Sequence, residues 1–470
     1  MWTAPEFLAA VEGKPDGELP GDVTGVSMDS RTIAPGEAFF AITGDRFDGH
    51  KFAGAALKNG ACVAVVGDKF ERGDAAGALV RVDDPLAAMG RLARAARTRS
   101  TGRIIAVTGS VGKTGTKRAL ALALEPSGAT HASPASFNNH WGVPFSLANL
   151  ARDAKFGVFE IGMNHAGEIT PLTKLVRPHV AIITTIAPVH IGYLGSIEAI
   201  ADAKAEIFAG LEAGGTAVLN RDNDQYDRLA HQAREAGAQI IGFGADERAE
   251  ARLLRQVPMA GGSIVDADIL GDQVTYKLGT PGRHLVMNSL AVLAAVKLVG
   301  ADLALGALRL SEWRALAGRG EQTTLRAGSG DVLLIDESYN ANPASMRAAL
   351  AVLGETQPGP RGRRIAVIGD MLELGDDEAA AHRQLAEPII ESGVDLVFAC
   401  GPAMRDLYEA VPTGVRGGFE ETADALKPRL VDAVGAGDVI MVKGSFAIGM
   451  GAIAEELKQR YPSADSEEDG

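Results

Sequence analysis

The segment that most constrains this chain is residues 108–117, TGSVGKTGTK, which directly follows the apolar run at 103–107. The order predicts a buried strand, a glycine-rich turn and a helix that opens at Gly112-Lys113-Thr114. Glycines let backbone N–H groups approach an anion, and a helix N-terminus adds partial positive charge. The sequence therefore predicts a phosphate-binding loop within an α/β fold.

The loop is shorter than the common G-x-x-x-x-G-K-[ST] pattern, which would need glycine where this chain has Val107. The remaining G-x-x-G-K-T predicts that Lys113 reaches the outer phosphates of ATP and that the Thr114 hydroxyl ligates Mg²⁺. The residues predicted to bind ATP here are Gly109, Ser110, Gly112, Lys113 and Thr114. The alternative is an ordinary strand-to-helix turn, but such a turn would not require Lys-Thr after the second glycine.

Composition narrows the function classes. With 46 Lys and Arg against 60 Asp and Glu, the net charge of −14 argues against broad nucleic-acid or membrane-surface binding. No apolar run is long enough to span a bilayer, and the first residues lack the basic region of a signal peptide. Cys62 and Cys400 are far apart in the sequence, as in a protein of a reducing compartment. We expect a cytoplasmic monomer.

The 470 residues suggest roughly three domains on the usual domain length. We place the domains at 1–100, 101–315 and 316–462, followed by an acidic, disordered tail at 463–470. Short strands and glycine turns fill the first domain. It ends in a helix at 85–99, where Arg91, Arg94 and Arg97 are spaced by three and indicate a solvated face.

The other two domains alternate strands and helices, the pattern of doubly wound parallel sheets. The middle one is predicted to have strands at 156–161, 180–186 and 216–219, and a helix at 196–211 with Ser196 as its N-cap. Strands of the third domain are predicted at 332–336, 364–368, 396–399 and 439–442, with helices at 343–353 and 378–392. Ligands bind such sheets at the carboxyl ends of the strands, so two facing domains would enclose a cleft for ATP.

Three side chains are candidates for chemistry beside the loop. Glu160 ends a buried strand, where Mg²⁺ or a structural cation would have to balance its charge. His190 follows the next strand; on spacing alone, a hydrogen-bonded side chain is the alternative to a metal ligand. Pattern alone makes Lys204 a surface residue, but a partly buried lysine loses its proton readily. As a neutral amine it could take up CO₂ and become an anionic carbamate.

Taken together, these residues resemble the Mur ligase family of peptidoglycan synthesis over nearly the whole chain. The general family motifs are TGSVGKT at 108–114, Glu160, His190, KAEIF at 204–208 and GRHLVMN at 282–288. Others resemble the branch that adds D-alanyl-D-alanine to UDP-N-acetylmuramoyl-tripeptide: NN at 138–139, GVP at 142–144, DESYNANP at 336–343, GDMLELG at 369–375 and KGS at 443–445. DSR at 29–31 with DGH at 48–50 resembles the uridine-diphosphate-binding domain of that branch.

The resemblance implies a small α/β UDP-binding domain, a central ATPase domain with a mostly parallel sheet and a Rossmann-like C-terminal domain. It implies ATP and two Mg²⁺ as cofactors, with UDP-N-acetylmuramoyl-tripeptide and D-alanyl-D-alanine as substrates. As catalytic residues it implies Lys113, His190 and carbamylated Lys204. As metal-site residues it implies Thr114, Glu160, His190 and Lys204. Further ATP contacts fall on Asn288, Arg319 and Asp336. Substrate contacts fall on Ser30, Arg31, Asp48, His50, Asn138, Asn139, Asn340 and Asn342.

Two positions depart from the family pattern. Leu285 and Phe446 stand where the family more often has Asn and Arg, which affects peripheral contacts and leaves the loop and metal residues intact. Two other functions stay open: a related ATP-dependent ligase such as a folylpolyglutamate synthetase, and a nucleotide switch or motor that hydrolyses ATP. The sequence does not distinguish diaminopimelate from lysine as the third residue of the tripeptide.

Overall fold

The computed structural model describes residues 1–19, 21–44, 47–73, 75–189, 191–259, 261–328, 330–375 and 378–463. Within these ranges, the strands form one sheet of two, one of five, one of nine and one of six strands. All three larger sheets are mostly parallel, and helices pack against them, so the predicted α/β class is confirmed.

The five-stranded sheet has the order β2-β7-β6-β5-β4, in which only β2 runs antiparallel to its neighbour among the described strands. β1 and β3 form the separate antiparallel pair. The strands are β1 Trp2–Thr3, β2 Lys14–Asp16, β3 Asp22–Val23, β4 Gly25–Ser27, β5 Glu37–Phe40, β6 Val63–Gly67 and β7 Leu79–Val82. The helices are α1 Ala4–Val11, α2 Ala53–Lys58 and α3 Pro85–Arg99. Asp84 accepts two backbone N–H groups at the start of α3, and Pro85 takes its first position.

The nine-stranded sheet has the order β16-β15-β14-β13-β12-β11-β8-β10-β9. Its strands are β8 Arg103–Thr108, β9 Thr130–Ala132, β10 Phe156–Glu160, β11 Val180–Ile183, β12 Thr216–Asn220, β13 Gln239–Gly244, β14 Ala251–Met259, β15 Gly262–Ile269 and β16 Asp272–Leu278. Its helices are α4 Lys113–Leu124, α5 Gly142–Ala148, α6 Ile169–Val176, α7 Ile191–Leu194, α8 Ile197–Ala205, α9 Tyr226–Glu235, α10 Arg283–Leu298 and α11 Leu303–Arg309. β8 lies at the centre between β11 and β10, and all three are parallel, so their carboxyl ends share one edge.

The six-stranded sheet has the order β17-β18-β22-β19-β20-β21, with β17 antiparallel to β18. Its strands are β17 Glu321–Ala327, β18 Gly330–Glu337, β19 Arg364–Gly369, β20 Leu396–Cys400, β21 Arg416–Glu420 and β22 Val439–Lys443. Its helices are α12 Pro343–Glu355, α13 Glu378–Arg383, α14 Ala386–Glu391, α15 Met404–Ala410, α16 Ala423–Ala433 and α17 Gly451–Arg460. Two apolar clusters cover its two faces, so the sheet has its own core.

The five-stranded sheet is docked on the nine-stranded one through α3, α5 and α6. One hydrophobic cluster runs from Phe7 in α1 to Leu172 in α6. At the sheet edge, the Asn149 side chain accepts the Val26 N–H at 2.9 Å and donates to the Val26 carbonyl at 3.1 Å. Asn149 thereby satisfies backbone groups that an edge strand leaves unpaired.

The arginine row on α3 corrects one expectation. Arg97 is buried, and its guanidinium donates to the carbonyls of Val176 and Arg177, both at 2.7 Å, and to Glu212 at 3.0 Å. The predicted solvated face is therefore wrong at this position. The partners come from segments about 80 and 115 residues away in sequence, which a local spacing pattern cannot indicate.

Two predicted helices are shorter than expected. The helix predicted at 196–211 ends at Ala205, and 206–210 continue as a 3₁₀ helix. The helix predicted at 378–392 is divided into α13 and α14. Ser196 does accept the Ala199 N–H at 3.1 Å as the predicted N-cap. No helix in the described part of the chain is both long and apolar enough to cross a membrane.

The domain boundaries at 100 and 315 stay predictions. The predicted tail, apart from Ser463, lies outside the described residues.

Candidate nucleotide and metal site

The phosphate loop connects β8 to α4 at the carboxyl edge of the central sheet. Gly109 and Gly112 have φ angles of 146° and 85°, which favour glycine. A Cβ at Gly109 would lie 2.0 Å from Oγ1 of Thr184, and one at Gly112 would lie 2.7 Å from Nδ2 of Asn288. Both positions therefore require glycine on grounds of conformation and of space.

The loop is fixed to the segment that follows β11. The Ser110 hydroxyl donates to the Ala187 carbonyl and accepts the Ala187 N–H, each at 3.0 Å. Oγ1 of Thr184 donates to the Val111 carbonyl at 2.6 Å. Because these side chains hold the loop in shape, the predicted contact of Ser110 with ATP would have to come from its backbone.

Lys113 begins α4 and turns back over the loop. Its Nζ donates to the Gly109 carbonyl at 2.7 Å, and the side chain is half-buried. Burial lowers the pKa of Lys113, Glu160 opposes that shift, and Arg319 adds to it. An anion bound in the loop would compensate the desolvated ammonium, as the predicted phosphate contact requires.

Glu160 ends β10 and is 1% exposed. Its Oε1 accepts the Thr114 hydroxyl at 3.2 Å and the Asn138 amide at 2.7 Å. Its Oε2 makes no hydrogen bond and lies 3.5 Å from Nζ of Lys117, which also donates to the Ala135 carbonyl. A buried carboxylate oxygen without a hydrogen bond, beside a hydroxyl, is a donor set suited to Mg²⁺. The site is therefore compatible with both predicted partners of Glu160: Mg²⁺, and a structural cation, which is Lys117.

Lys204 corrects the expectation drawn from pattern alone, because it is 2% exposed. Its ammonium group has no hydrogen bond or ion pair with any residue that the structure describes. Burial lowers the pKa of Lys204 well below its usual value, and the positive charge of Lys113 adds to the shift. Lys204 is thus within range of an electrostatic interaction with Lys113. The lowered pKa favours the neutral form of this buried amine, which is the form that reacts with CO₂.

His190, the remaining predicted metal-site residue, lies outside the described residues. Among those described, no three His, Cys, Asp or Glu side chains form a group able to hold a metal ion. A metal at this edge would therefore draw on the Thr114 hydroxyl and on phosphate oxygens as well as on Glu160.

Glu206 connects the lysine-bearing helix to the segment after Glu160. Its Oε1 accepts the Gly167 N–H at 2.5 Å, and its Oε2 accepts the N–H and hydroxyl of Thr170 at 2.9 and 3.0 Å. These N–H groups belong to the start of α6, which has no side-chain cap of its own. Glu206 directly follows the helix that carries Lys204, so these hydrogen bonds connect the end of that helix to the start of α6.

The third sheet contributes Arg319 from the segment that leads into β17. Its Nη2 donates to the Ser136 hydroxyl at 3.1 Å, and Ser136 lies 3.4 Å from Oγ1 of Thr114. The guanidinium also lies 3.8 Å above the ring of Tyr339. Arg319 is thereby positioned at the loop, as an ATP contact requires.

The two other predicted ATP contacts are both buried. Asn288, on α10, lies against Gly112. Asp336 accepts the N–H and hydroxyl of Ser338 at 3.1 and 2.6 Å, and Lys458 lies 3.7 Å away. Asn288 is thus adjacent to the phosphate loop, whereas Asp336 is held within its own domain.

The predicted UDP contacts lie in the first domain. The Arg31 side chain is exposed and forms a bidentate pair with Asp29, at 2.9 and 2.7 Å, which lowers the pKa of Asp29 to about 2. Ser30 is buried, and its carbonyl accepts the Asn59 amide at 2.7 Å. The exposed guanidinium leaves Arg31 accessible to an anionic ligand.

Asp48 and His50 form a second, ordered pair in this domain. Nε2 of His50 accepts the Gly67 N–H at 2.9 Å, so Nδ1 carries the proton and donates to Asp48 at 2.7 Å. This hydrogen bond is the main cause of the lowered pKa of Asp48. The arrangement fixes the tautomer of His50.

The four predicted asparagine contacts have different surroundings. Asn138 donates to Glu160, whereas Asn139 accepts the Gly142 N–H at the start of α5 at 2.9 Å. Asn340 is exposed, and its carbonyl accepts Nζ of Lys443 at 2.8 Å. Asn342 is buried and caps α12 by accepting the Ser345 N–H at 2.9 Å. Asn138 thus belongs to the metal edge, and Asn342 has a structural role in capping α12.

Three residues of this site were assigned no role from the sequence: Lys117, Ser136 and Glu206. Lys117 lies one helical turn after Lys113, so the helical spacing of the loop motif was a usable signal. Glu206 lies within the motif at 204–208, which was a usable signal as well, whereas Ser136 reaches the site through a tertiary contact that leaves no local pattern. Of the two departures from the family pattern, Leu285 is half-buried and Phe446 is 74% exposed, with its ring 5.9 Å from that of Tyr339.

Comparison with known proteins places this geometry in context. The "Mur ligase family, catalytic domain" model matches residues 22–97, the "Mur ligase middle domain" model 107–296, and the "Mur ligase, glutamate ligase domain" model 318–446. The "UDP-N-acetylmuramoyl-tripeptide--D-alanyl-D-alanine ligase" of Escherichia coli (strain K12) is 34% identical, over 94% of this chain and 96% of that protein. The ligase of the same name from Rickettsia prowazekii is 30% identical, over 92% and 94%.

Solved structures agree with these relatives. Crystal structure I of MurF from Acinetobacter baumannii superposes with a TM-score of 0.84 at 29% identity, covering 97% of this chain and 99% of that one. MurF ligase from Thermotoga maritima in complex with ADP gives a TM-score of 0.75 at 26% identity, covering 93% and 99%. These likenesses extend over nearly the whole length of each protein.

Proposed function

This chain belongs to the Mur ligase family, and on that premise we propose that it joins D-alanyl-D-alanine to UDP-N-acetylmuramoyl-tripeptide with hydrolysis of ATP to ADP and phosphate. The observation that supports this function best is the convergence of Lys113, Thr114 and Glu160 at one sheet edge, with Lys204 near Lys113. A triphosphate held there would have cations on its outer phosphates. Such a site suits phosphoryl transfer to a carboxylate.

The reaction needs activation because an amide does not form from a carboxylate and an amine in water without it. A carboxylate oxygen of the tripeptide attacks the γ-phosphorus of ATP, and the bond to the β–γ bridging oxygen breaks to release ADP. The dipeptide amine then attacks the acyl carbon, loses a proton and expels phosphate. The two anions must first come together, so positive charge is the main requirement.

Individual residues have proposed roles in this sequence. Lys113 exchanges the Gly109 carbonyl for a phosphate oxygen and neutralises charge on the transferring group. Arg319 brings a second positive charge, a guanidinium group, to the loop from the third domain. Mg²⁺, when bound, would supply Lewis-acid stabilisation of the phosphates, and Thr114 and Glu160 would hold it.

The proposed site also includes carbamylation of Lys204. Burial is the main cause of the lowered pKa of Lys204, and repulsion by the positive charge of Lys113 lowers it further. Converting its amine to a carbamate replaces repulsion of Lys113 with attraction and adds an anionic oxygen ligand for a second Mg²⁺. We include His190 as a residue of that second metal site.

Substrate recognition and setting complete the proposal. Ser30, Arg31, Asp48 and His50 would contact the UDP moiety. Asn138, Asn139, Asn340 and Asn342 would contribute to the peptide substrates, and Asn288 and Asp336 to ATP. Domain boundaries at 100 and 315, a monomeric state and a cytoplasmic location are also our proposals.

The test is mass spectrometry of products from purified protein, ATP, D-alanyl-D-alanine and either the diaminopimelate- or the lysine-containing UDP-muramoyl-tripeptide. We expect one UDP-muramoyl-pentapeptide and stoichiometric ADP. A folylpolyglutamate synthetase would instead extend a folate with glutamate. A switch or motor would release phosphate without an acceptor amine, so phosphate release independent of D-alanyl-D-alanine would overturn the proposal.

A further inference from the structure

A second cationic site lies away from the phosphate loop. A pocket of about 160 Å³ opens between α3 and α6, and four of its six lining residues are cations. The lining residues are Arg94, Arg97, Pro171, Lys174, Leu175 and Arg177. Such a concentration of positive charge stands out in a chain whose net charge is −14.

The pocket is at the opposite edge of the central sheet from the proposed chemistry. Arg97 donates to the carbonyls of Val176 and Arg177, which precede β11, whereas the phosphate loop follows β8. β8 and β11 are parallel neighbours, and β8 has six residues. At a rise of about 3.3 Å per residue, roughly 20 Å of strand separates the two edges.

Part of the positive charge in the pocket is neutralised and part is not. Glu212 lies 3.0 Å from Arg97 and 3.1 Å from Arg177. Arg94 and Lys174 are exposed, and the side chain of neither forms a hydrogen bond or ion pair with a residue in the described ranges. The pocket therefore carries two cations, one from each helix, whose charge nothing described there neutralises.

Two of the three guanidinium groups, those of Arg97 and Arg177, are already held in place. Arg97 is buried and has three acceptors, so its orientation does not depend on a ligand. A preformed cationic pocket binds an anion without the cost of ordering all its side chains.

We propose that this pocket binds a small phosphate-type dianion, either free phosphate or the terminal phosphate of a larger molecule. Guanidinium groups match the geometry of phosphate oxygens, and Lys174 adds a point charge from the facing helix. The cavity has room for several water molecules and hence for a tetrahedral oxyanion. An anion that bridges Arg94 and Lys174 would connect α3 to α6, two of the helices through which the five-stranded sheet is docked on the nine-stranded sheet.

The phosphate loop also binds phosphate under the proposed function, so the test separates the two sites. Isothermal titration of the full chain with inorganic phosphate would be compared in four proteins: wild type, Lys113→Ala, Arg94→Ala/Lys174→Ala, and the triple variant. We expect the Lys113→Ala protein to retain binding that weakens at least tenfold when the two pocket substitutions are added. Equal phosphate affinity of Lys113→Ala and the triple variant would overturn the proposal and leave the proposed ligase function untouched.

A matched control removes the same charge elsewhere. Lys58→Ala/Arg460→Ala replaces one exposed lysine and one exposed arginine outside the pocket and should leave phosphate binding in the Lys113→Ala background unchanged. Weakening as large as that caused by the pocket substitutions would mean that net charge alone is responsible, against the proposal. Both pairs are exposed, so circular dichroism should show folded proteins.

The source of the anion is tested with phenyl phosphate as a monoester probe. Tighter binding of phenyl phosphate than of inorganic phosphate would support the terminal phosphate of a larger molecule, and the reverse order would support free phosphate. Phosphate should also raise the melting temperature of Lys113→Ala, and this increase should be lost in the triple variant. An increase that survives in the triple variant would contradict a bridge between Arg94 and Lys174.

Discussion

The hydroxyl of Thr114 lies 3.2 Å from Oε1 of Glu160, so a side-chain hydrogen bond joins the first turn of α4 to the end of β10. One belongs to the phosphate loop and the other to a buried strand. Their contact places two oxygen donors suited to Mg²⁺ beside the predicted position of the triphosphate.

Glu160→Gln should lower turnover by about 10²-fold or more, because the neutral amide keeps the shape of the side chain and loses the charge that attracts Mg²⁺. The Mg²⁺ concentration for half-maximal activity should rise. Turnover measured across a Mg²⁺ titration, with folding monitored by circular dichroism, checks this. An unchanged Mg²⁺ dependence would contradict the metal role of Glu160.

Lys113→Ala should reduce substrate-dependent ADP release by about 10²–10³-fold or more, since the cation on the outer phosphates is removed. Binding of the UDP-substrate, measured by isothermal titration, should change little. Lys58→Ala, an exposed lysine on α2, is the control and should retain full activity. Near-normal turnover of Lys113→Ala would refute the assignment of the loop.

Lys204→Ala should be inactive and partly rescued by a small carboxylate such as acetate. The wild-type protein exchanged with ¹³C-bicarbonate should show a carbamate carbon by NMR that is absent from Lys204→Ala. Activity should also fall in buffer depleted of CO₂ and return with bicarbonate, because the neutral amine favoured by the lowered pKa is the form that reacts. Full activity of the alanine variant would exclude the carbamate.

Glu206→Ala should destabilise the fold by about 1–3 kcal/mol, because the N–H groups of Gly167 and Thr170 lose their acceptor. Urea unfolding measures this free energy. The carbamate signal of Lys204 should weaken as well, because the lysine is two residues away. Glu235→Ala, on the exposed side of α9, is the control and should change neither quantity. A stable variant with a normal carbamate signal would show that Glu206 has no positioning role.

Cys62 should react slowly with iodoacetamide near neutral pH. Burial raises the pKa of the Cys62 thiol to about 11, so the thiolate that attacks the reagent forms only as pH approaches that value. The labelling rate should rise about tenfold per pH unit between pH 8 and 10. Mass spectrometry of labelled protein over this range provides the measurement, and a rate that levels off near pH 8.5 would indicate an ordinary exposed thiol.

Much of the fold could be predicted because its signals are local. Buried parallel strands give apolar runs, and the strand expected from the run at 103–107 lies where predicted, whereas the strand predicted at 180–186 ends at Ile183. The antiparallel extension from β14 to β16 was not predicted. Its strands have one exposed face, so their hydrophobic pattern is weaker than that of the central strands.

In the candidate site, too, the residues with a local signal could be predicted and those placed by tertiary contacts could not. Gly109, Gly112 and Lys113 are consecutive or nearly so, and a short motif with a mechanism identifies them. The burial of Lys204 follows from packing of α8, and pattern alone misses it. The link from Arg319 to Ser136 joins residues 183 apart in sequence, so it could only be learned from the structure.

The two loop glycines have a consequence for inhibition. An alanine at Gly109 would collide with Thr184, and one at Gly112 with Asn288, while both positions also need a backbone conformation that other residues rarely adopt. Resistance to a compound that occupies the loop would therefore have little chance of arising at these glycines. A substitution that excluded the compound would also distort the loop that binds the phosphates of ATP.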